Sequence, residues 1–171
     1  NLTEHDKIEK VKNTVKFISR TGLFHQGTSL TNMPYDCLVG IQSANDFGYD
    51  TVRVNVRMTS DGVAVLSHDA TINSVARNTD GTAISGDIDI ATHTLAELNQ
   101  YDYGIRYGAQ YAGMKITELS DAMALCKKLG MNVILEIKPD TLTAEEFDSI
   151  LGDVVDSSMI EYKHSSFFLY S

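Results

Sequence analysis

In residues 52–72, VRVNVRMTSDGVAVLSHDATI, Val52, Val54 and Val56 alternate with Arg53, Asn55 and Arg57, and His68-Asp69 follow. Histidine exchanges a proton near neutral pH, while arginine and lysine meet anions. Three further residues belong with these: His25 in TGLFHQG, and Glu136 and Lys138 in NVILEIK. Successive strand residues point to opposite faces, so Arg53 shares a face with Asn55 and Glu136 shares one with Lys138. A charged group turned into a sheet's interior is costly unless it is paired or functional. Plain alternatives stand beside the functional one. Glu136 and Lys138 suit a simple ion pair, Arg53 suits a salt bridge to Glu136, and each histidine suits a backbone hydrogen bond near a strand end.

Residues 2–19 carry Ile8, Val11, Val15 and Ile18 at helical spacing and read as an amphipathic helix. TGLFHQG reads as a short buried strand, and YDCLVGIQSANDFG as a helix closed by Gly48. Residues 51–57 and 62–67 read as strands around a Ser60-Asp61-Gly62 turn. Residues 70–93 form a polar excursion, and Thr94 with Glu97 predicts a capping box opening a short helix. A helix over 117–129 stops at Gly130, and 132–138 is a strand left at Pro139. Thr143 and Glu146 predict a second capping box and a helix to about Asp156; residues 159–167 close as a strand. Helices between apolar strands predict an α/β fold with parallel strands in sequence order. His25, Arg53, Asn55, His68, Glu136 and Lys138 would then gather at the carboxyl ends, where such sheets place function. Tyr101, Tyr103, Tyr107 and Tyr111 read as an irregular, half-buried loop.

The bulk numbers bound the function. The 171 residues, 43% hydrophobic, suffice for one domain with a sizeable core. The 14 basic and 23 acidic residues give a net charge of −9, which argues against binding nucleic acid through its phosphates. A small local anion site remains compatible with it. No apolar run approaches the ~20 residues of a membrane helix. No signal peptide is visible, and the start at Asn1 leaves secretion, envelope association and the cytoplasm all open. Cys37 and Cys126 lack metal-site spacing and read as buried free thiols.

Taken in order, HQG at 25–27, PYDC at 34–37, RVN at 53–55, TSDG at 59–62, HD at 68–69 and EIK at 136–138 resemble the signature of the glycerophosphodiester phosphodiesterase family. That signature runs His-Arg-Gly, Pro-Glu-Asn-Thr, Glu-x-Asp, Thr-x-Asp-Gly, His-Asp and Glu-x-Lys. The resemblance extends to TLAELNQYDYG and KITELSDAMALC and spans about residues 20 to 167. It implies a (β/α) TIM-type barrel over residues 1–171, with about five strands and a leading helix. A complete barrel of this type takes about 200–250 residues, so a C-terminal truncation, a contribution from another chain such as a homo-oligomer partner, or a different closure is expected. Apolar surface near residues 159–171 is expected to be covered by something outside them.

The resemblance implies that His25 and His68 flank a phosphodiester as general base and acid. It also implies a Mg or Ca ion held by the carboxylates of Glu-x-Asp and Glu-x-Lys. Here the first two stand as Arg53 and Asn55, leaving Glu136 as metal ligand, so a weak or absent metal site and no cofactor are expected. Arg53 and Lys138, with Asn55, become candidates for holding a phosphate or phosphodiester. The competing expectation is a catalytically inactive relative that binds a phosphorylated ligand or a protein partner.

Overall fold

Alternation in two strands builds the centre of the molecule. β2 (Thr51–Met58) and β4 (Asn132–Ile137) run parallel, with Arg53 opposite Ile134 and Asn55 opposite Glu136. Val52, Val54 and Val56, with Val133, Leu135 and Ile137, turn to one face. There they pack on Ile41 and Ala44 of α1 (Leu38–Asp46) and on Leu119, Ala122, Met123 and Cys126 of α3 (Leu119–Leu129). The other face carries Arg53, Asn55, Glu136 and Lys138, as the alternation predicts. Helix α3 ends at Gly130, whose φ of +67° is the left-handed C-terminal conformation that glycine adopts without cost. Cys37 and Cys126 are buried free thiols, as expected.

The computed structural model describes residues 33–138 and Glu145, together with the strand segments Ile18–Ser19, Ile160–His164 and Phe167–Tyr170. His25, most of the leading helix and, apart from Glu145, the predicted 143–156 helix lie outside the described residues. β1 (Ile18–Ser19) pairs parallel with Thr51 and Val52. The helical periodicity of 2–19 assigned those two residues to a helix; pairing along the edge of β2 overrides that local pattern.

Strand direction also departs from expectation. β3 (Ala64–Leu66) lies antiparallel to β2, with Val56 opposite Leu66 and Met58 opposite Ala64. The turn between them leaves no room for the crossover that a parallel pair needs. Gly62, at φ +79°, closes that turn, and Asp61 accepts the Thr59 hydroxyl at 2.6 Å. At the other end, β5 (Ile160–His164) and β6 (Phe167–Tyr170) replace the single predicted strand and pair antiparallel. β6 is antiparallel to β4 as well. The sheet order is β1-β2-β4-β6-β5, with β3 off β2. The expected all-parallel order therefore holds only for β1, β2 and β4.

The polar excursion has a core of its own. Val65, Ile72, Ala76, Ile90, Leu98, Tyr103 and Ile116 form a second buried cluster. Helix α2 (Leu95–Leu98) carries the predicted capping box, with the Glu97 N–H on the Thr94 hydroxyl and the Thr94 N–H on the Glu97 carboxylate. Tyr103 is buried and Tyr101, Tyr107 and Tyr111 are partly so, the last two on short 3-10 turns at Ile105–Tyr107 and Ala109–Tyr111. No helix among the described residues is long and apolar enough to cross a membrane.

Candidate functional site

Register brings the first group together. Glu136, on the last turn of alternation in β4, receives Lys138 Nζ on Oε1 at 2.7 Å and faces Arg53 Nε with Oε2 at 3.4 Å. Oε2 is buried and accepts no hydrogen bond from the described residues. Burial pulls the Glu136 carboxyl upward, but the Lys138 hydrogen bond and the Arg53 and Lys138 charges outweigh it and hold the group below the usual glutamate range. Lys138 itself is fixed by its N–H on the Val56 carbonyl at 3.0 Å.

Beside this cluster stands a residue that sequence reasoning passed over. Asn55 is fully buried under Asp36, which lies in the loop before α1. Asp36 Oδ1 accepts the Asn55 backbone N–H at 3.1 Å and Oδ2 accepts the Asn55 amide at 2.9 Å. The two bonds hold Asp36 at φ +50°, a left-handed conformation that aspartate tolerates better than most residues. Burial pushes the Asp36 carboxyl up to about 6, against the opposing Asn55 hydrogen bonds. Asn55 Oδ1 is buried with no hydrogen-bond partner among the described residues. A signal was present. In the resemblance, Pro-Glu-Asn-Thr and Glu-x-Asp set an asparagine and an aspartate against Asp36 and Asn55, which implies an exchange of amide and carboxylate.

The segment leaving β3 supplies the second group. Ser67 N–H donates to the Asn55 carbonyl at 3.0 Å, tying this exit to β2. Arg57 clamps the His68 carbonyl with Nε at 3.2 Å and Nη2 at 2.8 Å. So Arg57, the last polar residue of β2, is spent on the backbone rather than on a ligand. His68 Nδ1 lies 2.8 Å from Asp69 Oδ1, and Asp69 Oδ2 accepts the Ser74 hydroxyl at 2.7 Å. Those two hydrogen bonds, Ser74 first, keep the Asp69 carboxyl below the usual range. An ionised carboxylate only accepts, so the neutral His68 ring carries its proton on Nδ1 and presents the Nε2 lone pair. Tyr35, Asp36, Ser67, His68, Asp69 and Ser74 share one small cleft. The structure thus groups Arg53, Asn55, Glu136 and Lys138 on one surface, with His68 at its margin. His25 lies outside the described residues.

A divalent cation does not fit the Glu136 cluster. Both carboxylate oxygens already face cationic side chains, and Asp36 spends both of its oxygens on Asn55. Such an ion prefers several oxygen ligands, mostly anionic. Among the described residues no group of three or more metal-ligating side chains assembles.

The fold is that of the barrel phosphodiesterases. A glycerophosphoryl diester phosphodiesterase structure from Silicibacter pomeroyi, described as putative, superposes with a TM-score of 0.65 at 24% identity, covering 81% of this chain and 51% of that one. An Oleispira antarctica phosphodiesterase, solved with the product sn-glycerol-3-phosphate, superposes with a TM-score of 0.66 at 26% identity, covering 86% and 56%. The glycerophosphoryl diester phosphodiesterase family matches residues 25–156, and the chain belongs to that family. A glycerophosphodiester phosphodiesterase of Caldanaerobacter subterraneus is 32% identical over 114 residues, 67% of this chain and 43% of that protein. Human glycerophosphodiester phosphodiesterase 1 is 29% identical over 126 residues, 74% of this chain and 36% of that protein. The chain therefore spans less than half the length of these two relatives.

Proposed function

We propose that this chain binds and hydrolyses a glycerophosphodiester, in the manner its relatives' names state, with cationic side chains in place of a divalent ion. The carrying observation is the Arg53–Glu136–Lys138 cluster, in which Arg53 and Glu136 stand at positions where the family resemblance implies metal ligands. A phosphodiester anion competes with Glu136 for the two cations. Arg53 then offers a fork to the non-bridging oxygens and Lys138 a point charge, which stabilises the charge that builds there. Water gives a proton to one histidine as it attacks phosphorus, the P–O bond to the leaving alcohol breaks, and the alkoxide takes a proton from the other histidine. His68, with Nδ1 held by Asp69, exchanges protons through Nε2, and His25 is its partner by family resemblance.

A second reading has its own support. Glu136 already meets both cations, and this lowers their availability to a ligand, so the chain is then a binder without turnover. A chromogenic phosphodiester assay with and without EDTA separates the two. Turnover that survives EDTA supports metal-free hydrolysis, and turnover abolished by EDTA and restored by Mg or Ca overturns it. Absence of turnover, with phosphate still moving the His68 ring signals in NMR, supports binding alone. Phosphate that moves nothing refutes both.

A further inference from the structure

Ser74 sits outside every motif discussed above, yet it donates to the one carboxylate oxygen that His68 leaves open. Asp69 is about half exposed and sits on an irregular segment, so its side chain has rotamers pointing to water. Its neighbours restrain the backbone: the Ser67 hydroxyl donates to the Asp69 carbonyl at 2.8 Å, and Arg57 grips the His68 carbonyl. Neither of these contacts touches the Asp69 carboxylate. Among the described residues, His68 and Ser74 hydrogen-bond to the Asp69 carboxylate. The charged groups acting on Asp69 are His68 and Arg57, and the Tyr35 phenol, in the same cleft, interacts with both Ser74 and Asp69.

We infer that Ser74 is a positioning residue: its hydroxyl locks the Asp69 carboxylate against His68 Nδ1 and thereby fixes which ring nitrogen of His68 faces the substrate. The inference rests on reading His68 as the proton-exchanging group, because only then does the choice of nitrogen matter to a reaction. The physical content is separate from that reading. A ring nitrogen is protonated according to the hydrogen bond it makes, so loosening Asp69 redistributes the proton between Nδ1 and Nε2. The side chain at 74 has to be a short donor. Threonine keeps the hydroxyl, and alanine removes it with little change in bulk.

The test is the His68 tautomer in the whole chain, read from ring nitrogen-15 shifts in wild type, Ser74→Ala, Ser74→Thr and Asp69→Asn. Wild type is expected to carry the proton on Nδ1 when neutral. Ser74→Ala should lose that majority in the same direction as Asp69→Asn, and Ser74→Thr should keep it. If wild type hydrolyses a phosphodiester, Ser74→Ala should lower kcat by roughly tenfold with KM little changed, the cost of a misaligned reacting group. A Ser74→Ala tautomer identical to wild type overturns the inference whether or not the chain is an enzyme. A tautomer shift in a chain without turnover upholds the positioning role and counts only against the functional reading. Should Ser74→Ala fail to fold, Ser74→Cys, with its weak donor, must fall between alanine and threonine, and a wild-type value there refutes the inference.

Discussion

The two halves of the site meet at Asn55 and are held in unlike ways. On the β2–β4 surface, pairing of Asn55 with Glu136 fixes where each side chain starts, whatever that side chain is. Chemistry there can change without disturbing the sheet, and the family resemblance implies such a change at Arg53 and Asn55. At the exit of β3 the chain is irregular, and side chains hold it: Arg57 on the His68 carbonyl, Ser67 on the Asp69 carbonyl, Ser74 on the Asp69 carboxylate. There a residue's identity is its structural role, and His68-Asp69 keeps the family wording. Sheet register tolerates exchange of chemistry, whereas a loop built on side-chain hydrogen bonds resists it.

The strongest way to break that comparison is to restore the exchanged residues. The variant Arg53→Glu with Asp36→Asn and Asn55→Asp rebuilds Glu-x-Asp and returns the amide to position 36. Asp36→Asn is needed because two carboxylates would otherwise meet at that buried contact. Calorimetry should then show Mg or Ca binding near 10⁻⁵ M, about a thousandfold above wild type. Unchanged metal binding in a folded triple variant would mean that register does not place these groups as the sheet implies.

Next in size is the buried Asp36. Its carboxyl stands at about 6 when folded, against an ordinary 3.8, so the folded chain keeps a proton that the unfolded chain has lost. Stability therefore falls as pH rises through that window, by about 3 kcal/mol at most. Asp36→Asn should flatten this slope and stabilise the chain near neutral pH, since an amide still accepts the Asn55 N–H. Urea unfolding across the window measures it, and equal slopes in the two chains would refute a buried ionised Asp36. Arg57→Ala tests the other half. Loss of a charged fork on the His68 carbonyl should cost roughly 1.5–3 kcal/mol. It should also broaden the amide signals of residues 67–69 while leaving β2 and β4 intact.

Local signals carried much of the fold. Thr94 with Glu97, Gly130 after α3, and the valine alternation each have a short-range cause, and each appears as expected. The direction of β3 was also legible, because a turn at Ser60-Asp61-Gly62 cannot join parallel strands. Expecting parallel order there let the class of fold override the turn. The Asp36–Asn55 contact spans nineteen residues and joins a loop to a strand, so no periodicity points to it. Only the paired departure from the family wording could have. Ser74 had no signal at all, since a serine five residues from Asp69 in a polar excursion looks like any other.

The smallest effect expected is at Lys138, and its sign is opposite to that of Asp36. Burial raises the Glu136 carboxyl, but Lys138 and Arg53 lower it further than burial lifts it. A depressed carboxyl stabilises the fold above its ordinary range and loses that contribution as pH falls through its folded value. Lys138→Met removes the 2.7 Å bond but keeps an unbranched stem of similar length. At 19% and 15% exposure the pair remains open to solvent, so the cost near neutral pH should be only about 0.5–1 kcal/mol. It should shrink in high salt and vanish once the pH falls low enough to protonate Glu136, below the usual glutamate range. Asp36→Asn should instead show its largest difference from wild type near neutral pH, as a gain. Two carboxylates either side of Asn55 would then report opposite pH slopes from one surface. An equal loss for Lys138→Met in acid and at neutrality would assign the effect to packing of the stem and remove the ion pair from the account.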